Sequence, residues 1–317
     1  MSGSWEKASY LVSGGRGGRA AGAPGGVAEV FGAKMREFTT IGIGGPAERM
    51  VFPNSVREVQ EVVRAEARAG RQVLVLGAGS NLLVSDAGVR GTVVCLRKGM
   101  ARIVFAGGVS VVADAGTMLP RFAVLCALSH LSGAEPLAGI PGTVGGALTM
   151  NAGAYGRRIG ELVEWVELVG EEGDLHRVPA AEIRFGYREA RYPIRGILVR
   201  AAFRFARGSA DAAFALMKEI NEKRRAAQPW GERTFGSAFR NPPGGEGAGR
   251  LLERAGMKGA REGDARFSEK HANFVVNAGR ARAQDVVRLM ARGREAVRAM
   301  AGVVLEPEVV MWGDFDA

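Results

Sequence analysis

Gly139-Ile140-Pro141-Gly142-Thr143-Val144-Gly145-Gly146-Ala147-Leu148-Thr149-Met150-Asn151-Ala152-Gly153-Ala154-Tyr155-Gly156 holds six glycines in eighteen residues and no charge. A solvated loop normally carries charge. A segment this flexible and uncharged must still satisfy its backbone amides, so it reads as a loop wrapped closely around a ligand or as a buried crossover. Its only side-chain polar groups are Thr143, Thr149, Asn151 and Tyr155.

A second glycine loop lies upstream. Gln72-Val73-Leu74-Val75-Leu76 reads as a buried strand, and it runs directly into Gly77-Ala78-Gly79-Ser80-Asn81-Leu82-Leu83-Val84. Glycines there let several amides point into one concavity that suits phosphate or pyrophosphate. The dinucleotide fingerprint requires a third glycine opening a helix. Leu82 stands at that place and the following residues read as another strand, which argues against a Rossmann unit. A third loop, Thr40-Ile41-Gly42-Ile43-Gly44-Gly45-Pro46, leads into a short apolar strand, Arg49 to Phe52.

Around these loops helices and strands both alternate and segregate. Ser55-Val56-Arg57-Glu58 is a capping box. Val56, Val59, Val62, Val63 and Ala67 then mark one face of a helix that stops at Gly70. Val109–Asp114 alternates as a strand, Leu119–Leu131 reads as a helix with Pro120 in its first turn, and strands dominate from Leu162 to Phe205. Ala210–Arg225 is an amphipathic helix whose basic end, Lys223-Arg224-Arg225, suits the negative pole of the helix dipole. Ala283–Met300 reads as a further helix and Val303–Met311 as a terminal strand. The class is α/β or α+β with two or three lobes, the main boundary falling near 206–212. Order is expected from near Phe38, after a disordered tail over residues 1–27.

Composition removes other classes. Hydrophobic residues at 47% and charged residues at 24% exclude a wholly disordered chain. The longest uncharged stretch, Pro136–Gly156, holds six Gly and two Pro and cannot span lipid as a helix. The N-terminus lacks the apolar run of a signal peptide. Two cysteines, Cys95 and Cys126, sit in apolar settings and fit a reducing compartment, and His130, His176 and His271 are too scattered for a metal site. Net charge is +10, and Lys218 to Arg298 alone carries 18 Lys/Arg against 10 Asp/Glu. That excess reads as a field for anions (phosphates, nucleic acid or acidic lipid) or as a solvated helix face.

Taken in order, the motifs resemble those of the UDP-N-acetylenolpyruvoylglucosamine reductases. The three glycine loops look like that family's flavin-binding loops. Phe185-Gly186-Tyr187-Arg188 is similar to its Tyr-Arg motif, and Phe235-Gly236-Ser237-Ala238-Phe239-Arg240-Asn241-Pro242 resembles its Gly-Ser-x-Phe-Lys-Asn-Pro motif. Ala248-Gly249-Arg250-Leu251-Leu252-Glu253, Lys270-His271-Ala272-Asn273-Phe274 and Leu305-Glu306-Pro307-Glu308-Val309 complete the set, which covers about residues 36 to 313. No single motif is decisive; the ordered set is highly specific.

The resemblance implies a two-part FAD-binding domain of the vanillyl-alcohol-oxidase type over 28–209, its halves at about 28–100 and 101–209. It also implies a smaller α/β substrate-binding domain over 210–300, and a C-terminal segment, 301–317, returning to the active site. It implies NADPH-dependent reduction of UDP-N-acetylglucosamine enolpyruvate through non-covalent FAD, in the cytoplasm, by a monomer that needs neither nucleic acid nor membrane. The nucleotide loops hold no His or Cys to bond the flavin. Arg188, Ser237 and Glu308 would be the catalytic trio, with Ser237 the proton donor. FAD would meet Ile41, Gly42 and Gly44 in one loop and Gly77, Ala78, Gly79, Ser80, Asn81 and Leu82 in the next. In the third loop it would meet Ile140, Pro141, Gly142, Thr143, Gly145, Gly146, Ala147, Asn151, Ala152 and Gly153. Substrate would meet Tyr187, Arg188, Asn241, Arg250, Lys258, Lys270, His271 and Asn273.

Strand periodicity puts Glu306 and Glu308 on one face and does not choose between them; the motif chooses Glu308. Two departures touch the pocket: Ala190 stands where the family often has Ser, and Arg233-Thr234-Phe235 replaces a Pro-Ser-Ala-like stretch. The 49-residue interval from Arg188 to Ser237 resembles the subclass without an extra substrate-covering loop. The rival readings are a flavin oxidase of another substrate on the same scaffold and a basic nucleic-acid-binding protein.

Overall fold

The structure is a computed structural model that describes residues 26–315. The expected tail, residues 1–27, lies almost wholly outside the described residues.

The first layer is a four-stranded sheet in the order Ala28–Lys34, Pro46–Phe52, Val89–Cys95, Val73–Leu76. The last three strands run parallel, and their near-continuous apolar runs are what a sheet covered on both faces demands. Helix α1 (Val56–Arg68) crosses between two of them. Its capping box is present: the Glu58 N–H donates to Ser55 Oγ and the Asn54 N–H donates to Glu58 Oε2. Order begins about ten residues before Phe38. The strand Ala28–Lys34 pairs antiparallel with Pro46–Phe52, but it buries only Glu29 and Ala33, so it shows no alternating apolar pattern.

The second layer is a five-stranded antiparallel sheet in the order Leu175–Pro179, Val163–Gly170, Gly196–Arg204, Ser110–Asp114, Ile103–Phe105. Helix α2 (Leu119–Leu128) packs near it. Inside the uncharged stretch a short helix forms, α3 (Val144–Thr149). Its glycine pair hides it from propensity. Thr143 accepts the Gly146 N–H as N-cap, and Val144, Ala147 and Leu148 bury against the sheet, which outweighs the glycines. Both sheets share one apolar core.

Helix α4 (Ala210–Ala227) corrects the domain boundary expected at 210. Its Ala213 and Met217 belong to that shared core, so α4 packs on the flavin-type half of the molecule. The second core begins only after it. This core is built on the antiparallel sheet Thr234–Ser237, Phe274–Asn277, Ala265–Phe267, Arg261–Glu262, with α5 (Ala248–Arg254) and α6 (Ala283–Ala301).

The terminal strand is shorter than expected, Val310–Trp312, and it pairs parallel with Leu82–Val84 immediately after the phosphate-type loop. Leu305 and Val309 enter the second core and Val310 and Trp312 the first. One strap therefore ties both cores together. Cys95 and Cys126 are free and fully buried, and burial pushes their thiols up to about 11 and about 12. No helix among the described residues is long and apolar enough to cross a membrane.

Candidate active site

Arg188, Ser237 and Glu308 lie on the walls of one cleft with about 640 Å³ of free volume. Each arrives on a different element. Arg188 sits at the tip of a hairpin, Arg184–Gly186 against Glu189–Arg191, with φ of +57°. That left-handed conformation costs an L residue about 1–2 kcal/mol, and such strain persists only where neighbours hold it. Here Asn151 holds it: its Nδ2 donates to Gly186 O at 2.8 Å, and its Oδ1 accepts the Gly160 N–H at 3.2 Å.

Ser237 ends the strand Thr234–Ser237. Gly236, at φ +86°, and a register shift between Thr234 and Ser237 turn the strand at this point. Asn273 pins the next residues. Its Oδ1 accepts the Phe239 N–H at 2.9 Å and its Nδ2 donates to Phe239 O at 2.8 Å.

Glu308 lies on the strap before Val310–Trp312. Its N–H donates to Ala238 O at 2.8 Å, and its carbonyl accepts from Asn81 Nδ2 at 3.1 Å. The strap is irregular here, so Glu306 points away and is exposed while Glu308 turns inward. That separates two residues that a regular strand would have put on one face. Arg188 Nε lies 2.7 Å from Glu308 Oε1, but its N–H makes no aligned hydrogen bond. The contact is an ion pair that can re-form toward a third group. Burial pushes the Glu308 carboxyl above its ordinary range, opposed by the charges of Arg188 and Arg240. The group therefore favours holding a proton and donating it in a hydrogen bond.

The glycine loops form the rest of the wall. Ala78, Ser80 and Asn81 line the cleft from one loop; Ile140, Pro141, Gly142, Thr143, Gly146, Ala147, Ala152 and Gly153 line it from the other. Thr40 adds to it and knits the loops together, its Oγ1 2.7 Å from Gly79 O and 2.6 Å from Thr234 O. Ile41, Gly42, Gly44, Gly77, Gly79, Leu82, Gly145 and Asn151 stand behind the wall rather than on it. Their small size serves packing: a Cβ at Gly79 would lie 2.5 Å from Phe38 O, and one at Gly145 would lie 2.9 Å from Ala115 Cβ. Gly146 differs, because a Cβ there meets nothing nearer than Thr143 Oγ1 at 3.5 Å.

Of the residues expected to meet substrate, only Arg188 lines the cleft. Tyr187 is exposed, with the Arg188 guanidinium 5.5 Å from its ring. Asn241 accepts the Ala248 N–H at the start of α5. Arg250 pairs with Glu246 at 2.9 Å, Lys258 pairs with Glu253 at 2.5 Å, and Lys270 donates to Arg225 O. His271 is packed edge-on to Phe274, its Nδ1 accepts the Asn273 N–H, and burial lowers its pKa.

Arg224, Tyr155 and Trp230 line the cleft and were not among the candidates. A signal for Arg224 existed. Ala213, Met217 and Ile220 are the buried positions of α4, and Arg224 continues their four-three-four spacing. The departures have structural consequences. Arg233 donates to Gly279 O at 2.7 Å and would contact a Cβ on Gly42, Thr234 Oγ1 accepts the Gly236 N–H, and Phe235 is buried. Ala190 is half-buried opposite Phe185.

These walls fit an FAD. The backbone of Gly142 and Gly146 opens onto the cleft with no side chain in the way, and neither long loop brings a carboxylate against a phosphate. Neither cysteine nor histidine lines the cleft, so the flavin would be held without a covalent bond to those residue types.

Comparison with known proteins agrees. A sequence model described as an FAD binding domain matches residues 47–179, and one described as the UDP-N-acetylenolpyruvoylglucosamine reductase C-terminal domain matches residues 228–312. The second match starts just after α4, where the second core begins. The chain is 41% identical over 280 residues to UDP-N-acetylenolpyruvoylglucosamine reductase 2 of Symbiobacterium thermophilum, covering 88% of this chain and 90% of that one. It is 42% identical to the reductase of Nitrosococcus oceani, covering 88% and 93%. The crystal structure of the Thermus caldophilus reductase superposes with a TM-score of 0.78 at 36% identity, covering 90% of this chain and 99% of that one. Physcomitrella patens BBE-like 1 shares the fold alone, with a TM-score of 0.54 at 15% identity over 87% of each chain.

Fold and cleft thus define a flavoprotein oxidoreductase: an FAD-binding half of two α/β sheets, with a smaller C-terminal lobe closing over it. Within that class, the chain belongs to the UDP-N-acetylenolpyruvoylglucosamine reductase family.

Proposed function

We propose that this chain reduces UDP-N-acetylglucosamine enolpyruvate to UDP-N-acetylmuramate with NADPH, a step in peptidoglycan precursor synthesis. The observation that carries the reading is the convergence of Arg188, Ser237 and Glu308, from three separate elements, on the cleft that the glycine loops build. Bound FAD supplies the chemistry of carrying a hydride from NADPH to the enolpyruvyl methylene carbon.

The protein's part is to manage the charge and the proton. As the carbon–carbon double bond opens, negative charge builds on the neighbouring carbon and its carboxylate. Arg188 meets that charge with a guanidinium held in a strained, preset conformation. The Glu308 carboxyl, favoured in its protonated form, adds a hydrogen bond and sets the Arg188 orientation. Ser237 gives its hydroxyl proton to the carbanionic carbon and regains one from solvent. Serine is a poor acid in water, but a strongly basic carbon needs only a placed donor. The reaction runs in the cytoplasm on soluble nucleotides, with the chain acting as a monomer and needing neither nucleic acid nor membrane.

Anaerobic titration tests this. Purified protein should be yellow, lose its flavin absorbance on adding NADPH, and regain it only when UDP-N-acetylglucosamine enolpyruvate follows. A flavin that oxygen reoxidises rapidly and that ignores the UDP sugar would instead mark an oxidase.

A further inference from the structure

Arg224 is a buried cation that the proposed reaction leaves unused. It reaches the cleft wall from the last turn of α4, and its Nε is buried without a hydrogen-bond partner. No carboxylate pairs with it among the described residues; its charged form is disfavoured by burial alone. Space has been left for it, since a Cβ on Gly139 would stand 2.7 Å from Arg224 Cδ. One turn back, Asn221 presents a buried Oδ1 that also lacks a partner. A guanidinium removed from water with no counter-ion is costly, and an arriving anion relieves that cost.

The same cleft carries an aromatic platform. Trp230 lines it yet is 52% exposed, so it stands at the mouth. The Arg225 guanidinium lies 5.2 Å from its ring, and Lys270 donates to Arg225 O, fixing the backbone between the two arginines. Glu232, on the same rim, is already engaged by Arg266 and does not neutralise Arg224.

We propose that Arg224 and Trp230, backed by Arg225, form the docking subsite for a nucleoside diphosphate, Arg224 taking a phosphate and Trp230 the planar base. The inference rests on the functional reading above, in which nucleotide substrates enter this cleft. UDP sugar and NADPH share this chemistry, and the experiment separates them.

Calorimetric titrations of the FAD-loaded protein with UDP, NADP⁺ and inorganic pyrophosphate test it. Arg224→Gln should weaken pyrophosphate and one of the two nucleotides by about tenfold or more, with Arg224→Lys recovering part of the loss. Trp230→Ala should weaken the same nucleotide and leave pyrophosphate unchanged. The nucleotide that responds identifies the source. Removing an unpaired buried charge should leave the melting temperature of Arg224→Gln unchanged or raised. If both variants bind UDP and NADP⁺ as the wild type does, the subsite is refuted and the reductase reading stands. If Arg224→Gln sheds its flavin, or melts earlier with affinity unchanged, Arg224 serves the cofactor or the fold and the inference is overturned. If the wild type binds neither nucleotide, both the subsite and the functional reading fall.

Discussion

At the scale of single residues, the cleft works through groups held away from their resting preferences. Ser237 is set at a strand end turned by Gly236, and nothing but its hydroxyl can replace the donor there. Ser237→Ala should lose about 10²-fold or more in turnover while FAD stays bound; turnover at the wild-type level in a yellow variant would remove the assignment. Glu308 gives a second prediction through its proton. Burial raises its pKa from an ordinary 4.5, so between 4.5 and the raised value the native state holds more protons than the unfolded chain. Stability must then fall as pH rises through that window. Glu308→Gln should erase that part of the slope in thermal melts taken from pH 4 upward. It should also keep more activity than Glu308→Ala, because an amide still donates a hydrogen bond. The choice of Glu308 over Glu306 came from motif resemblance, because periodicity assigns both to one face. The irregular strap that separates them depends on backbone bonds to Ala238 and Asn81, residues remote in the chain.

At the scale of elements, the glycine loops divide into two kinds that look identical in sequence. Gly145 and Gly146 are neighbours in α3, yet a Cβ on Gly145 meets Ala115 and one on Gly146 enters the cleft. Gly145→Ala should therefore cost about 1–3 kcal/mol of stability through overpacking, read by chemical denaturation. Gly146→Val should fold normally but purify with little or no flavin, and a fully yellow variant would show that the cofactor does not approach that backbone. Asn151 was read as a cofactor contact, but its side chain holds the hairpin that carries Arg188. Asn151→Ala should lower kcat with flavin content intact, because the hairpin loses the bond that pins Gly186. Long apolar strands, the α1 cap and α4 were legible because they rest on local periodicity. The helix α3 and the core that α4 joins were not, since both depend on what lies across the fold.

At the scale of the whole molecule, the order of motifs along the chain made the family and the flavin half legible without coordinates. The partners of the basic residues were not legible: Arg250 and Lys258 are spent on neighbouring carboxylates, and the cation without one was hidden in a run of three. The strap from Leu305 to Trp312 links the lobes. Its Leu305 and Val309 sit in one core, Val310 and Trp312 in the other, and Glu308 lies between them on the cleft. Position of the carboxyl and cohesion of the lobes are therefore one property. Trp312 is 3% exposed, so Trp312→Ala removes a large buried side chain and should cost about 3–5 kcal/mol. The loss should spread to catalysis, because Val310–Trp312 pairs with Leu82–Val84 and holds Glu308 beside Asn81. At a temperature where the variant remains folded, turnover per bound flavin should drop while the flavin itself stays. If stability falls and turnover per flavin does not, the strap joins the lobes without positioning Glu308.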